Sequence, residues 1–288
     1  MQRYAIEDFN RDYPDENTCL ERLRRRRYPD GSACEKCGRE TTYYRDAGRR
    51  SYSCQWCGHH IHPTAGTIFH KSTTPLRLWF YAVFLMAQTR CGISAKQLER
   101  ELGVTYKTAW RMFHEIRKML AEDDGPPLSG TVEMDETYYG GRSRGTRRGR
   151  PGEDSHKTPV FGMVQRQGRV VAKTVVNAKS ATLRPHIRKK VLPENVVYTD
   201  EFTSYDCLKR DGYQHSRVHH AEEVYVAGDV HTNTIDGFWS LLKRGIGGVY
   251  HSVSAKHLQG YLDEYAFRYN HRKDERPMFD TMLSCVTG

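Results

Sequence analysis

The sequence predicts a multidomain α/β protein: a small metal-bound ribbon, a helical module with a helix-turn-helix, and a larger domain built on a mixed sheet. Three observations support this prediction. Two Cys-x-x-Cys pairs lie within residues 34–57, and a helical pattern of apolar residues runs through 74–120. Beyond a linker at 123–127 the pattern changes to strands that later alternate with helices.

The composition fits a globular protein of two or three domains, because 38% of the 288 residues are hydrophobic. The longest apolar run, 78–87, is far shorter than the roughly 20 residues that span a bilayer, and charged residues interrupt the stretch that a signal peptide would need. We therefore expect a soluble, cytoplasmic protein. A formal net charge of +10 favours a polyanionic partner such as nucleic acid, although charge alone is weak evidence.

Residues 1–65 are predicted to form a short helix and a zinc ribbon. A run of arginines, 24–27, ends the helix before Tyr28-Pro29, and we expect these arginines to contact phosphates. The two cysteine pairs are separated by sixteen residues, and each is followed by glycine. Four thiolates on two such knuckles close a tetrahedral zinc site, and the alternative is four unligated buried cysteines. We expect one structural zinc ion on Cys34, Cys37, Cys54 and Cys57.

Residues 66–124 are predicted to form a helix-turn-helix DNA-binding domain. The segment 94–110 has a short helix, a turn at Gly103 and a second helix that begins after Thr105. Four basic residues share one face of this second helix, with spacings of i, i+4, i+7 and i+11. The alternative is an ordinary amphipathic helix pair with a solvated basic side. We expect DNA contacts from Lys107, Arg111, His114 and Lys118.

Residues 128–288 are predicted to form the third domain, which includes a basic loop at 142–157. A meander of strands is followed by strands that alternate with helices, a pattern typical of a mixed sheet. The predicted strands are 131–139, 160–165, 169–176, 196–199 and 214–218; the predicted helices are 181–190, one between 200 and 214, 233–244 and 254–271.

Three aspartates fall where a sheet and its neighbouring helix present metal ligands. Asp135 lies within an apolar strand, where an unpaired carboxylate is costly to bury, and Asp200 ends a short strand. Asp236 lies on a helix that presents Lys243 on the same face. Two ions held by carboxylates cleave phosphodiesters, and hard oxygen ligands select magnesium or manganese. In the structural alternatives, Asp200 only caps a helix and Asp236 belongs to a capping box with Asn233.

Four segments carry a resemblance to a known family: MDETYYGG at 134–141, TDEF at 199–202, HTNTIDGFWSLLKRG at 231–245 and YLDEYAFRYN at 261–270. Together with the 35 residues between the second and third acids, they resemble DDE transposases of the ISXO2-like insertion-sequence group. That group also carries an N-terminal zinc ribbon, so the resemblance covers almost the whole chain. One departure is that the third acid of the group is usually glutamate, whereas this chain has Asp236.

The resemblance implies a ribonuclease-H-like catalytic domain that uses Mg²⁺ or Mn²⁺. The implied reaction is hydrolysis at the inverted-repeat ends of an insertion sequence, followed by attack of the freed 3′ hydroxyl on target DNA. In the implied roles, Asp135 and Asp200 bridge the metals, Asp236 binds the second ion, and Lys243 and Arg244 clamp phosphate. The implied partner is double-stranded DNA in a prokaryotic nucleoid, bound by a homodimer or larger assembly. Loop arginines expected to grip DNA are Arg142, Arg144, Arg147, Arg148 and Arg150.

Two other functions stay open at this point. One is a catalytically weak or domesticated transposase that acts as a sequence-specific DNA-binding protein, and the other is a metal-dependent nuclease without strand transfer. The ribbon and the helix-turn-helix fit the first of these equally well. Only the three acids and Lys243 favour an active enzyme, and the aspartate at position 236 is the best support for an inactive one.

Overall fold

A computed structural model describes residues 3–121, 125–140, 157–218 and 230–286. The chain divides into two compact units, one formed by Met1–Met119 with Asp274–Gly288 and one by Leu120–Lys273. The ribbon and the helix-turn-helix therefore share one unit, whereas the sequence placed them in separate domains. The last fifteen residues, which the sequence placed in the third domain, group with the first unit.

The first unit opens with two helices and the ribbon. Helix α1 spans Ile6–Asp12 and α2 spans Glu16–Arg27, and the Asp15 side chain caps α2 by accepting a hydrogen bond from the Thr18 amide at 2.8 Å. The ribbon is an antiparallel sheet of three short strands, in the order β1 (Tyr43–Arg45), β2 (Tyr52–Cys54) and β3 (His60–Ile61).

The arginine run at the end of α2 is partly internal. Arg24 is buried and pairs with Glu21 and, at 2.5 Å, with Asp30, while Arg27 donates to the carbonyl oxygen of Pro63 at 2.8 Å. The guanidinium groups of these two arginines therefore satisfy acceptors within the unit, which a run of basic letters does not reveal, and phosphate contact by the run stays a prediction.

Four helices complete the first unit: α3 (Leu76–Gln88), α4 (Ala95–Leu102), α5 (Tyr106–Met119) and, from the C-terminal segment, α9 (Met278–Ser284). Helix α9 packs on α3. Phe279 joins an aromatic cluster with Tyr4, Phe9 and Phe84, whose ring centroids lie 5.1 to 5.9 Å from its own. Burial of these rings explains why the last helix belongs to this unit.

The second unit is a mixed α/β domain. Its strands are β4 (Thr131–Tyr139), β5 (Thr158–Gln165), β6 (Val170–Thr174), β7 (Val196–Thr199) and β8 (Gln214–Arg217), and its helices are α6 (Ser180–Lys190), α7 (Asn233–Gly245) and α8 (Ala255–Asn270). A π-helical turn, Ile246–Tyr250, follows α7 directly. The helix expected between Asp200 and Gln214 is instead two 3-10 turns, Thr203–Tyr205 and Lys209–Asp211.

The five strands form one sheet in the order β6-β5-β4-β7-β8. Strands β4, β5 and β6 pair antiparallel, whereas β7 is parallel to β4 and to β8. One face packs against α6 through a core that contains Val132, Met134 and Leu183. The other face packs against α7 and α8. Strands β4 and β5 therefore bury side chains on both faces, and the centrally placed β4 directs Glu133 and Asp135 towards α7.

Helix α8 covers the outer edge of β6 with two amide side chains. Asn270 accepts from the Val170 amide at 2.7 Å and donates to the Val170 carbonyl at 3.2 Å. Gln259 accepts from the Thr174 amide at 2.8 Å and donates to the Ala172 carbonyl at 3.2 Å. These bonds satisfy backbone groups that an edge strand would otherwise leave open to pairing with another chain.

No helix in the described part of the chain is both long and apolar enough to cross a membrane.

Candidate active site and metal centres

The four cysteines of the ribbon converge on one point. The ligand atoms of Cys34, Cys37, Cys54 and Cys57 all lie within 4.8 Å of one another. The sulfur atoms of Cys34 and Cys57 are 3.7 Å apart, and those of Cys37 and Cys54 are 4.0 Å apart. Zinc–sulfur bonds of about 2.3 Å in a tetrahedron place the sulfurs about 3.8 Å apart. The geometry confirms the predicted zinc site.

Hydrogen bonds to Cys54 and Cys34 favour the thiolate form that zinc requires. Burial would raise the pKa of the Cys54 thiol, but the Thr41 hydroxyl at 3.2 Å and the amides of Cys57 and Trp56 outweigh it and lower this pKa to about 6. The amide of Cys37 likewise lowers the pKa of Cys34. The two Cys-x-x-Cys turns, each followed by glycine, supply these backbone N–H donors.

The predicted helix-turn-helix is formed by α4 and α5, with Gly103 in the left-handed region (φ 62°) between them. The Thr105 hydroxyl caps α5 by accepting from the Thr108 amide at 3.4 Å. Phe113 and Ile116, on the side of α5 opposite the basic residues, are buried. Three of the four predicted DNA contacts are exposed, namely Lys107, Arg111 and Lys118. The fourth, His114, is half-buried.

Two features of this helix were missed. Trp110 is 38% exposed on the same side, and its ring centroid lies 4.0 Å from that of His114. The spacing of i and i+4 from Tyr106 through Trp110 to His114 is the signal that was available. Arg111 also has an internal role, because it donates to the Ser72 hydroxyl at 3.3 Å and lies over the Trp79 ring.

The basic loop falls outside the described residues. Arg144, Arg147 and Arg148, which were predicted to bind DNA, belong to the segment 141–156 and are not placed by the structure.

The fold gathers the three predicted aspartates on one side of the second unit. Asp135 lies on the central strand β4, Asp200 directly follows the adjacent strand β7, and Asp236 lies in the first turn of α7. The carboxylate oxygens of the three aspartates are farther apart than the sulfur atoms of the zinc site. Among the residues that the structure describes, only the four cysteines form a close group of three or more potential metal ligands.

The pKa of Asp135 is raised far above the ordinary value for an aspartate. Burial raises its pKa to about 7, and the negative charges of Asp200 and Asp236 raise it in the same direction. Two neighbours oppose this effect: Trp239 donates its indole N–H to the carboxylate at 2.9 Å, and Lys243 contributes a positive charge. The charges of Asp200, Asp236 and Lys243, the other residues assigned to catalysis from the sequence, therefore all affect the pKa of Asp135.

Asp200 and Asp236 differ in their surroundings. Asp200 is half-buried and accepts a hydrogen bond from the Phe202 amide at 3.1 Å, and a short 3-10 turn, not the α-helix that it was considered to cap, follows it. Asp236 is exposed, as are Lys243 and Arg244 further along the same helix. Its carboxylate is 3.4 Å from the Thr232 hydroxyl, which donates to it.

The cap of α7 comes from Glu133, a residue to which the sequence analysis gave no role. Its carboxylate is fully buried and accepts from the amides of Thr234 at 2.8 Å and Ile235 at 3.0 Å. Arg166 pairs with the same carboxylate at 2.7 Å. A helix cap supplied by a strand 101 residues earlier leaves no local pattern, which is why the sequence suggested a capping box with Asn233 instead.

Gly162 makes room for the bond between Trp239 and Asp135. It lies opposite Asp135 in the pairing of β4 with β5, and a Cβ added there would overlap the Trp239 ring. An apolar strand with a single glycine was the available signal, since such a glycine often marks close approach.

Two family models match the chain, one in the mixed α/β unit and one in the ribbon. Residues 127–270 match the family described as ISXO2-like transposase domain, and residues 14–60 match the transposase zinc-ribbon domain. The chain is 32% identical over 260 residues to "Uncharacterized protein in transposable element ISH50" of Halobacterium salinarum, covering 84% of this chain and 86% of that protein. It is 36% identical over 102 residues to an "Uncharacterized transposase-like protein" of Haemophilus influenzae, covering 35% and 81%.

Solved structures give more distant likenesses. The catalytic core domain of BIV integrase matches with a TM-score of 0.33 and 13% identity, covering 54% of this chain and 94% of that one. A pre-cleavage Mos1 transpososome matches with a TM-score of 0.27 and 14% identity, covering 67% and 75%. The ribbon, the mixed sheet and the sequence relatives agree with the expected organisation, and the chain belongs to the ISXO2-like transposase family.

Proposed function

We propose that this protein is an insertion-sequence transposase in which Asp135, Asp200 and Asp236 bind the divalent ions that cleave DNA at inverted-repeat ends and support strand transfer. The observation that carries the proposal is the convergence of the acids. The pKa of Asp135 is raised to about 7 by burial and by the charges of Asp200 and Asp236. A carboxyl whose pKa is raised by burial and by specific charged neighbours is a candidate for a functional site.

The donor set fits a hard divalent cation. The charges of Asp200 and Asp236 raise the pKa of Asp135 in spite of Lys243, so the site has an excess of negative charge that Mg²⁺ or Mn²⁺ would neutralise through oxygen ligands. When bound, a pair of such ions would favour deprotonation of the attacking hydroxyl and stabilise the leaving oxygen. Asp135 and Asp200 would hold both ions, and Asp236 would hold the second.

The remaining surfaces supply the DNA contacts in this proposal. Lys243 and Arg244, exposed on α7 beyond Asp236, would bind phosphate oxygens next to the cleaved bond. The basic face of α5 would read the element's ends in the major groove. The arginines of loop 142–157 would hold target DNA, and two or more copies would act together on paired ends of a chromosomal element.

A cleavage assay tests the proposal. Labelled fragments from both flanks of the coding sequence are incubated with the protein, with and without Mg²⁺, and products are mapped to the nucleotide. We expect Mg²⁺-dependent cuts at a repeated end sequence, joined products with a target plasmid, and neither product from Asp135→Asn. Sequence-specific binding without cleavage would instead support the DNA-binding alternative, and cleavage without joining would support a nuclease.

A further inference from the structure

We propose that the fully buried Glu133 and its partly exposed partner Arg166 form an ion pair that positions the three aspartates, with Glu133 acting as a positioning residue for metal binding. The inference rests on the proposed function, because it concerns how the same site is held. Its starting point is that β4 presents Glu133 and Asp135 on one face, two residues apart.

Glu133 fixes the start of α7. The carboxylate is fully buried, and besides the amides of Thr234 and Ile235 it accepts from the Thr234 hydroxyl at 2.9 Å. A negative charge at the N-terminus of a helix is stabilised by the helix dipole and by the amides that have no partner within the helix. Asp236 follows within the same turn, so a shift of this cap would move Asp236 with it.

Arg166 connects Glu133 to the other two elements of the site. It pairs with Glu133 at 2.7 Å and donates to the carbonyl of His231, just before α7, at 3.0 Å. Its guanidinium carbon also lies 4.8 Å from the centroid of the Tyr198 ring. Tyr198 belongs to β7, two residues before Asp200. The ion pair thus contacts the strand of Asp135, the strand that leads to Asp200 and the helix of Asp236.

Stability alone gives no reason for a charged pair here, because apolar residues of similar volume often stabilise a buried site as well or better. Directional hydrogen bonds, in contrast, define where a helix begins. Residues that orient metal ligands typically change metal affinity or activity ten- to hundredfold when they are replaced.

The test compares Glu133→Gln with a matched variant, Glu264→Gln. Glu264 is also fully buried and pairs with Arg268 at 2.7 Å in the same unit, but within α8. Thr234→Val serves as a milder second variant, because it removes one hydrogen bond to Glu133 and keeps the backbone amides. Each full-length protein is measured for melting temperature, for Mn²⁺ binding by calorimetry without DNA, for the Mg²⁺ concentration at half-maximal cleavage and for affinity to end DNA.

Asp135→Asn should abolish Mn²⁺ binding. We expect Glu133→Gln to weaken Mn²⁺ binding by about tenfold or more, and to raise the Mg²⁺ concentration at half-maximal cleavage by a similar factor. Thr234→Val should shift both in the same direction by less, while end affinity stays within about twofold in each variant. Glu264→Gln should lower the melting temperature without changing either metal measurement. Wild-type metal binding in Glu133→Gln, with a loss of melting temperature like that of Glu264→Gln, would overturn the positioning role. Absence of both Mn²⁺ binding and cleavage in the wild type would overturn the proposed function, and this inference with it.

Discussion

The indole N–H of Trp239 donates to the Asp135 carboxylate at 2.9 Å, so the helix that carries Asp236 also holds the acid at the centre of the site. The bond favours the ionised form of Asp135 and opposes the rise in its pKa. We expect Trp239→Phe, which keeps most of the buried ring, to slow cleavage about tenfold at pH 7. The measurement is the cleavage rate against pH at fixed Mg²⁺.

The loss of cleavage rate in Trp239→Phe should become smaller as the pH rises above 8, because the Asp135 carboxylate then ionises without the hydrogen bond. Phe238→Leu, a change to the neighbouring buried ring, is the control and should leave the pH profile in place. An equal loss at every pH would show that the indole supports packing and not the charge of Asp135.

Ionisation of Asp135 has a predictable effect on stability. Its pKa rises from an ordinary value of 3.8 to about 7 on folding. The native state therefore binds more protons than the unfolded state between these values, and stability falls as the pH rises from about 4 to 7. Asp135→Asn removes this loss. Without Mg²⁺, the variant should melt at a higher temperature than the wild type at pH 8, by the equivalent of about 1 kcal/mol or more.

Scanning calorimetry at pH 6 and pH 8 checks this expectation. The advantage of Asp135→Asn should be smaller at pH 6, and added Mg²⁺ should stabilise only the wild type. An advantage that does not depend on pH would assign the gain to packing and remove the evidence for a raised pKa.

Zinc should be present at one ion per chain, because the four thiols of the ribbon close a single site. Cys34→Ser removes one ligand and should release the ion and unfold the ribbon, since small zinc modules depend on the metal for folding. Elemental analysis of protein purified without chelators measures the content, and Cys91→Ser, at an exposed cysteine outside the knuckles, is the control. Full zinc content in Cys34→Ser would exclude Cys34 as a ligand.

The basic face of α5 should discriminate between DNA sequences. Arg111→Ala is expected to weaken binding to the element's ends by about 1 to 3 kcal/mol more than binding to random DNA. Lys107→Ala should weaken both equally and reduce the salt dependence by about one counterion. Since Arg111 also donates a hydrogen bond to Ser72, the melting temperature of the Arg111→Ala protein must be measured as well. Equal losses on both DNAs would make Arg111 a phosphate contact.

Local patterns predicted much of this protein, and long-range contacts explain what they missed. The strand 131–139 and the zinc ligands depend on residues close in sequence, and the structure places both as expected. The cap of α7 by Glu133 joins positions 101 residues apart, and α9 packs on α3 through aromatic rings some 200 residues away. No periodicity or spacing encodes such pairs, so Glu133, Arg166 and the place of α9 emerged only from the fold.

The last prediction concerns Asp236, where the chain departs from the glutamate usual in its group. Aspartate is one methylene shorter, so its carboxylate reaches about 1.5 Å less far from the same helix position. A misplacement of this size can cost roughly a hundredfold in rate. The charge of Asp236 nevertheless raises the pKa of Asp135, and Asp135, Asp200 and Lys243 are all present beside it.

We therefore expect Asp236→Ala to reduce Mg²⁺-dependent cleavage at least a hundredfold without changing affinity for end DNA, and Asp236→Glu to leave activity similar or lower it. Ser240→Ala, one turn further along α7 and also exposed, is the matched control. All four proteins are assayed on one labelled end fragment. A sharp gain of cleavage in Asp236→Glu would identify the wild type as a weakened enzyme that binds DNA but cuts poorly. Unchanged cleavage in Asp236→Ala would remove Asp236 from the active site and leave Asp135 and Asp200 without their third acid.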